Sequence, residues 1–156
     1  MNDLSNNWKN KPREKTYTEL EHPADLLLEI WGNSLPELFE NALFALYDQL
    51  ADLEGFGTGH RLTIKGEGNT PAEALRSLLS EALYHFATQG FVACRGKVAV
   101  EQSPNGKLEA VAELDGETVD RGRHTLHGEI KAVTYHRLAV EQARDGSWRA
   151  TVLFDV

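Results

Sequence analysis

The chain has 156 residues, a formal net charge of −8 and one cysteine, Cys94. One domain accommodates that length and buries roughly 70% of the surface its unfolded chain exposes, enough for a core without metal or disulfide staples. A single cysteine excludes an internal disulfide, and the acidic balance argues against a protein that grips a phosphate backbone by itself. No apolar run is long enough to span a membrane and the start lacks a secretory h-region, so a cytoplasmic, reducing location is expected.

Residues 1–16 are rich in Lys, Arg and Asn and read as a flexible leader to a single domain over 17–156. The dense apolar run Leu26 to Trp31, closed by Gly32-Asn33, predicts a buried strand. Ser34 followed by Glu37 is a capping box. Leu35, Leu38, Phe39, Ala42, Leu43, Leu46 and Leu50 then mark one apolar stripe of a helix to about Ala51. Leu62 and Ile64 alternate as a second strand, stopped at Gly66-Glu67-Gly68. Thr70-Pro71-Ala72-Glu73 starts a second helix, which ends near Gly90. After Gly90 the apolar period changes from 3.6 to 2. Strand material lies on both sides of Asn105-Gly106, a polar connection covers 117–127, and apolar stretches follow at Ile130–Val133 and Leu138–Val140. A last strand runs from Trp148 to Val156.

This order is β-α-β-α followed by an antiparallel meander. Each helix carries a single stripe, so neither is expected to be buried all round. The fold class is α+β: a two-layer sandwich of a mixed, largely antiparallel β-sheet with two helices on one face. Matching capping boxes in the two β-α units hint at an internal duplication.

The motifs of dinucleotide loops, phosphate loops, HExxH and CxxC metal sites and GxSxG nucleophiles are all absent. Cys94 lies in an apolar run with no obvious base beside it and reads as a small buried hydrophobe. Three polar positions stand out. Asp25 opens the most apolar strand, either as a turn acid or, with His22 nearby, as an oxygen ligand for a hard cation. Asp155 sits between Phe154 and Val156, either on a solvated tail or, with the Val156 α-carboxylate, as part of a hard-metal site. Lys131 is either an open-face charge or a functional lysine within Glu129 to His136. Arg121, Arg123, His124, His127 and Lys131 together outline a local basic patch, without the spacing of a zinc site.

These segments resemble the archease family, small partner proteins of the tRNA-splicing RNA ligase. The resemblance rests on Glu21-His22-Pro23-Ala24-Asp25, Leu38-Phe39-Glu40-Asn41-Ala42, Gly90-Phe91, Glu129 to Leu138, and Trp148-x-Ala150-x-Val152-x-Phe154-Asp155-Val156. Pro23 stands where the family usually has threonine, and Glu21 where it has aspartate. The resemblance implies a metal site at Asp25, Asp155 and Val156, a partner-activating lysine at Lys131, and supporting roles for His22 and His136. It also implies a non-catalytic role in tRNA processing. The protein would promote GTP-dependent guanylylation and multiple turnover of the ligase that joins 3′-phosphate to 5′-hydroxyl ends, meeting RNA only through that ligase. The divalent metal is Ca²⁺, Mg²⁺ or Mn²⁺. The alternatives are a metal-dependent phosphoesterase and a general chaperone.

Overall fold

A computed structural model describes residues 7–22 and 24–156; the expectations for residues 1–6 and for Pro23 lie outside the described residues. Both capping boxes form. Ser34 Oγ accepts from Glu37 N (3.2 Å) and the Glu37 carboxylate reaches back to Asn33 N (3.3 Å), opening helix α2, Leu35–Leu50. Thr70 Oγ1 and Glu73 repeat the arrangement at 3.2 and 3.1 Å for helix α3, Pro71–Gln89, which Gly90 ends at φ +68°. The two β-α units share a second device. In the preceding strands, β2 (Leu26–Gly32) and β3 (His60–Gly68), a Cβ on Gly32 or Gly66 would collide with the backbone of the following helix, at Leu38 and Leu78 respectively. Each strand therefore lies against its own helix at a separation only glycine permits.

The α+β class is as expected, but the sheet divides in two. A five-stranded sheet runs β1 (Tyr17–Leu20), β2, β8 (Trp148–Asp155) and β6 (Ala132–Val133), with β7 (Ala139–Gln142) also paired to β8. A three-stranded sheet runs β3, β5 (Leu108–Thr118) and β4 (Phe91–Gln102). All these pairings are antiparallel rather than mixed. Strands β2 and β3, expected in one mixed sheet, instead find antiparallel partners and join different sheets.

Helix α2 corrects a second expectation. Every residue from Leu38 to Asp48 is buried, including Glu40, Asn41 and Asp48. The helix packs on β2 of one sheet and β4 of the other, so one apolar stripe could not cover its whole contact surface. Its polar residues are covered by the segment expected to be a flexible leader. Trp8 is 0% exposed and lies against Phe44 and Tyr47, with ring centroids 6.2 and 6.1 Å away. Gly96 on β4 leaves room for the indole. Lys11 Nζ donates to Asn41 Oδ1 (3.0 Å), and Asn41 Nδ2 donates to Trp31 O (2.7 Å). Arg13, in the single-turn helix α1 (Arg13–Thr16), donates through Nε to both Asp48 oxygens at 2.8 and 2.7 Å. Tyr17 OH donates to Asp48 Oδ2 at 2.5 Å. Burial, followed by the Asp48 carboxylate, pushes the Tyr17 hydroxyl well above its usual range.

One hydroxyl in this core is left over. Tyr47 OH is buried without a protein partner, and burial alone drives its pKa up. Tyr47→Phe removes an unsatisfied polar group while keeping the ring that packs on Trp8 and Phe91. Thermal unfolding should show it as stable as the parent or more stable by about 1 kcal/mol; a clear loss would mean that the hydroxyl has a partner.

Candidate partner-facing site

Three segments far apart in sequence meet at one end of the five-stranded sheet. Strand β8 pairs with β2 from Leu26↔Phe154 to Gly32↔Trp148, which brings Asp25, in the bend just before β2, and Asp155, the last residue of β8, to the same end of this strand pair. On the other side of β8, Ala132 pairs with Asp155 and Val133 with Phe154, and Lys131 N donates to Asp155 O at 2.7 Å. Thr134 adds two bonds to Leu153 O, from its N and its Oγ1, each 3.0 Å. Lys131 directly precedes β6, and Val156, which is 43% exposed, directly follows β8.

Strand alternation sorts these residues by face. Leu26, Leu28, Val152 and Phe154 point into the core, while Leu27 and Leu153, paired with each other and each 2% exposed, lie on the opposite face. Asp155 shares that opposite face with Leu153, and Asp25 lies in the bend that leads into β2. Asp25 is half-buried and Asp155 exposed. The turn into β2 is strained: Ala24 has φ +70°, a left-handed conformation that costs a residue with a Cβ about 1–3 kcal/mol and persists where the surroundings impose it.

Lys131 belongs to the same strand end but not to the same face. It lines a groove of about 670 Å³ between the Glu129–Val133 segment and α3. Val133 is buried toward the core. Between β6 and β7 the pairing with β8 slips by three residues, so Tyr135, His136 and Arg137 project as a bulge, with Arg137 at φ +63°. His136 is exposed on this bulge, and His22 is half-buried in the β1–β2 connection. Among the described residues no group of three or more His, Cys, Asp or Glu side chains is arranged as a metal cage. The donor set is two aspartates of hard-oxygen chemistry, which fits Mg²⁺, Mn²⁺ or Ca²⁺ with water completing the shell and does not fit a soft-metal site.

Two side chains of the anticipated basic patch are committed elsewhere. Arg123 pairs with Glu117 (2.9 Å) and Asp120 (3.4 Å). His124 is buried, stacks on Phe56 at 3.8 Å, and accepts at Nδ1 from Asp120 N (2.8 Å), which leaves Nε2–H to donate to Glu117 Oε1 (3.3 Å). The amide of Gly57, then Arg123, holds the Glu117 carboxyl down to about 2. Because this folded value lies below the ordinary glutamate value of 4.5, the stabilisation is fully present above about pH 4.5 and disappears as pH falls toward 2. The stability difference between the parent and Glu117→Gln should shrink across that window in acid titrations followed by circular dichroism; a constant difference would contradict the assignment. Cys94 is 2% exposed, donates weakly to Gly57 O (3.3 Å), and its thiol is pushed up by burial, the behaviour of an inert core residue.

Arg76 and Tyr84, which also border the Lys131 groove, carry no motif and fall off the apolar stripe of α3. The one sequence signal for either was an aromatic residue at a helix position outside that stripe.

Residues 17–156 match the sequence profile of the Archease protein family (MTH1598/TM1083). The chain belongs to the archease family. Protein archease of Pyrococcus furiosus is 32% identical over 142 residues, covering 91% of this chain and 99% of that protein. Protein archease of Archaeoglobus fulgidus is 35% identical over 143 residues, covering 90% and 98%. The solution structure of Methanobacterium thermoautotrophicum protein 1598 superimposes with a TM-score of 0.75 at 23% identity, covering 91% of this chain and 99% of that one, which supports the fold. Among the described residues no helix is long and apolar enough to cross a membrane.

Proposed function

We propose that this archease is a non-catalytic activator of the tRNA-splicing RNA ligase, promoting GTP-dependent guanylylation of that enzyme and its repeated turnover. The observation that supports this reading is convergence: Asp25, Lys131 and Asp155, singled out from three separate segments, lie at one end of the five-stranded sheet. In this proposal Asp25 and Asp155 hold a divalent cation, with the Val156 carboxylate as a further donor. The cation supplies positive charge toward phosphate oxygens of the nucleotide-loaded ligase. Lys131, on the other face of the same strand end, acts across the partner interface. An acidic protein also suits an encounter with a basic, nucleotide-binding partner. GTP belongs to the ligase, and RNA is met only through it.

The test is ligation with the cognate ligase limiting and 3′-phosphate and 5′-hydroxyl RNA ends, GTP and a divalent metal in excess. Substoichiometric archease should raise product well beyond one turnover per ligase. Release of phosphate from those RNA ends by the archease alone would point instead to a phosphoesterase.

A further inference from the structure

The groove beside Lys131 has features that the proposed metal-site role does not use. Its floor is apolar, built from Leu83 and Phe86 of α3 with Ile130 and Val133, and its rim carries Arg76, Tyr84 and Lys131. One wall is β6, an edge strand whose only partner in the sheet order is β8. Arg76 is already fixed in place. Its Nε donates to Val133 O at 3.1 Å, and its guanidinium lies 3.7 Å from the centre of the Tyr135 ring. Among the described residues the exposed large hydrophobic side chains are Tyr84 (59%), Tyr135 (69%) and Val156 (43%). Tyr84 lines the groove, Tyr135 stacks on Arg76 at its rim, and Val156 follows the end of β8, where Lys131 N donates to Asp155 O. Exposed aromatics and an ordered arginine around an apolar floor are the composition of a protein-binding hot spot, and a held side chain loses little further freedom on docking.

We propose that this groove is the docking site for an extended segment of the ligase, one that places an apolar side chain on the floor and a carboxylate against Arg76 and Lys131. The proposal rests on the ligase reading above and adds the surface that supplies affinity, as distinct from the aspartate pair. The chemistry favours a peptide over a nucleic acid strand. The floor is carbon, Glu129 stands among the rim charges, and a chain of net charge −8 repels a phosphate backbone.

The test uses two exposed positions, so folding is not at stake. Ala87→Glu fills the groove from α3 and repels a carboxylate at little cost in helix propensity, and Tyr84→Ala removes a wall. Affinity for the purified cognate ligase is measured by calorimetry, and ligation is followed across archease concentration. Each variant should bind about tenfold or more weakly. Each should still reach parental stimulation when present in excess, whereas Asp155→Ala should lose stimulation at any concentration. Parental affinity in Ala87→Glu, alongside lost stimulation in Asp155→Ala, would overturn the groove and leave the functional reading standing. No binding of the ligase to the parent protein would overturn both. If the groove variants change self-association in sedimentation, or binding of a labelled single-stranded RNA, while ligase affinity is unchanged, the occupant is a second copy or RNA and the proposal fails.

Discussion

Trp8→Ala should lower the unfolding free energy by about 3–5 kcal/mol, the range for removing a large buried aromatic. At this chain length each kcal/mol shifts the midpoint by about 2–4 °C, so thermal unfolding should shift downward by roughly 10 °C. The indole is 0% exposed among Phe44, Tyr47 and Gly96, and its loss leaves a cavity between α2 and β4. Trp8→Phe should recover part of the loss. The effect extends beyond the cavity, because the same segment delivers Lys11 to Asn41 and Arg13 to Asp48. Truncation before Tyr17 leaves Asp48 with only the Tyr17 hydroxyl, and a buried carboxylate stripped of its cation is strongly destabilising. The profile match begins at residue 17, so this docked segment lies outside the matched archease domain while contributing to its stability. An unchanged midpoint in Trp8→Ala would mean that the segment is not docked in solution.

Asp155→Ala and Asp25→Ala should each reduce stimulation of the ligase by more than about tenfold, since losing even an outer partner of a metal ligand has that effect. Both positions lie at a strand end, with Asp155 exposed and Asp25 half-buried, so melting temperatures should stay close to that of the parent. Asp25→Asn and Asp155→Asn separate charge from shape. They keep an oxygen in place but remove the negative charge a hard cation requires, and they should fail as the alanine variants do. Folded variants with undiminished stimulation would exclude the aspartate pair as a metal site.

Some of this was legible in the sequence, for identifiable physical reasons. The helix starts at Ser34 and Thr70 and the stop at Gly90 are local chemistry, and they appear where the residues place them. The final strand and its alternation were legible because period 2 is also local. Which strands pair is not local. The division into two antiparallel sheets depends on contacts such as His60↔Gly116 and Leu28↔Val152, which no short-range pattern encodes. Strand β1 was missed because Tyr17-Thr18-Glu19-Leu20 exposes its two central residues at a sheet edge, leaving a weak apolar signal. Residues 7–16 read as loose because their lysines and arginine look like solvent charges until Asn41 and Asp48 are seen on the buried side of α2. The candidate residues stood out as polar positions in or beside apolar strand material, and the family resemblance gave them roles. Their register, and the separation of Lys131 from the aspartates onto the other face, required the paired strands.

The central claim is activation of a partner enzyme, and the most direct measurement is the rate at which the purified cognate ligase takes up guanylate from labelled GTP. A divalent metal is present and archease is supplied at a small fraction of the ligase concentration. The account predicts faster labelling of the whole ligase pool with the parent protein and little or no acceleration with Asp25→Ala or Asp155→Ala. An identical labelling rate with and without the parent protein would contradict it.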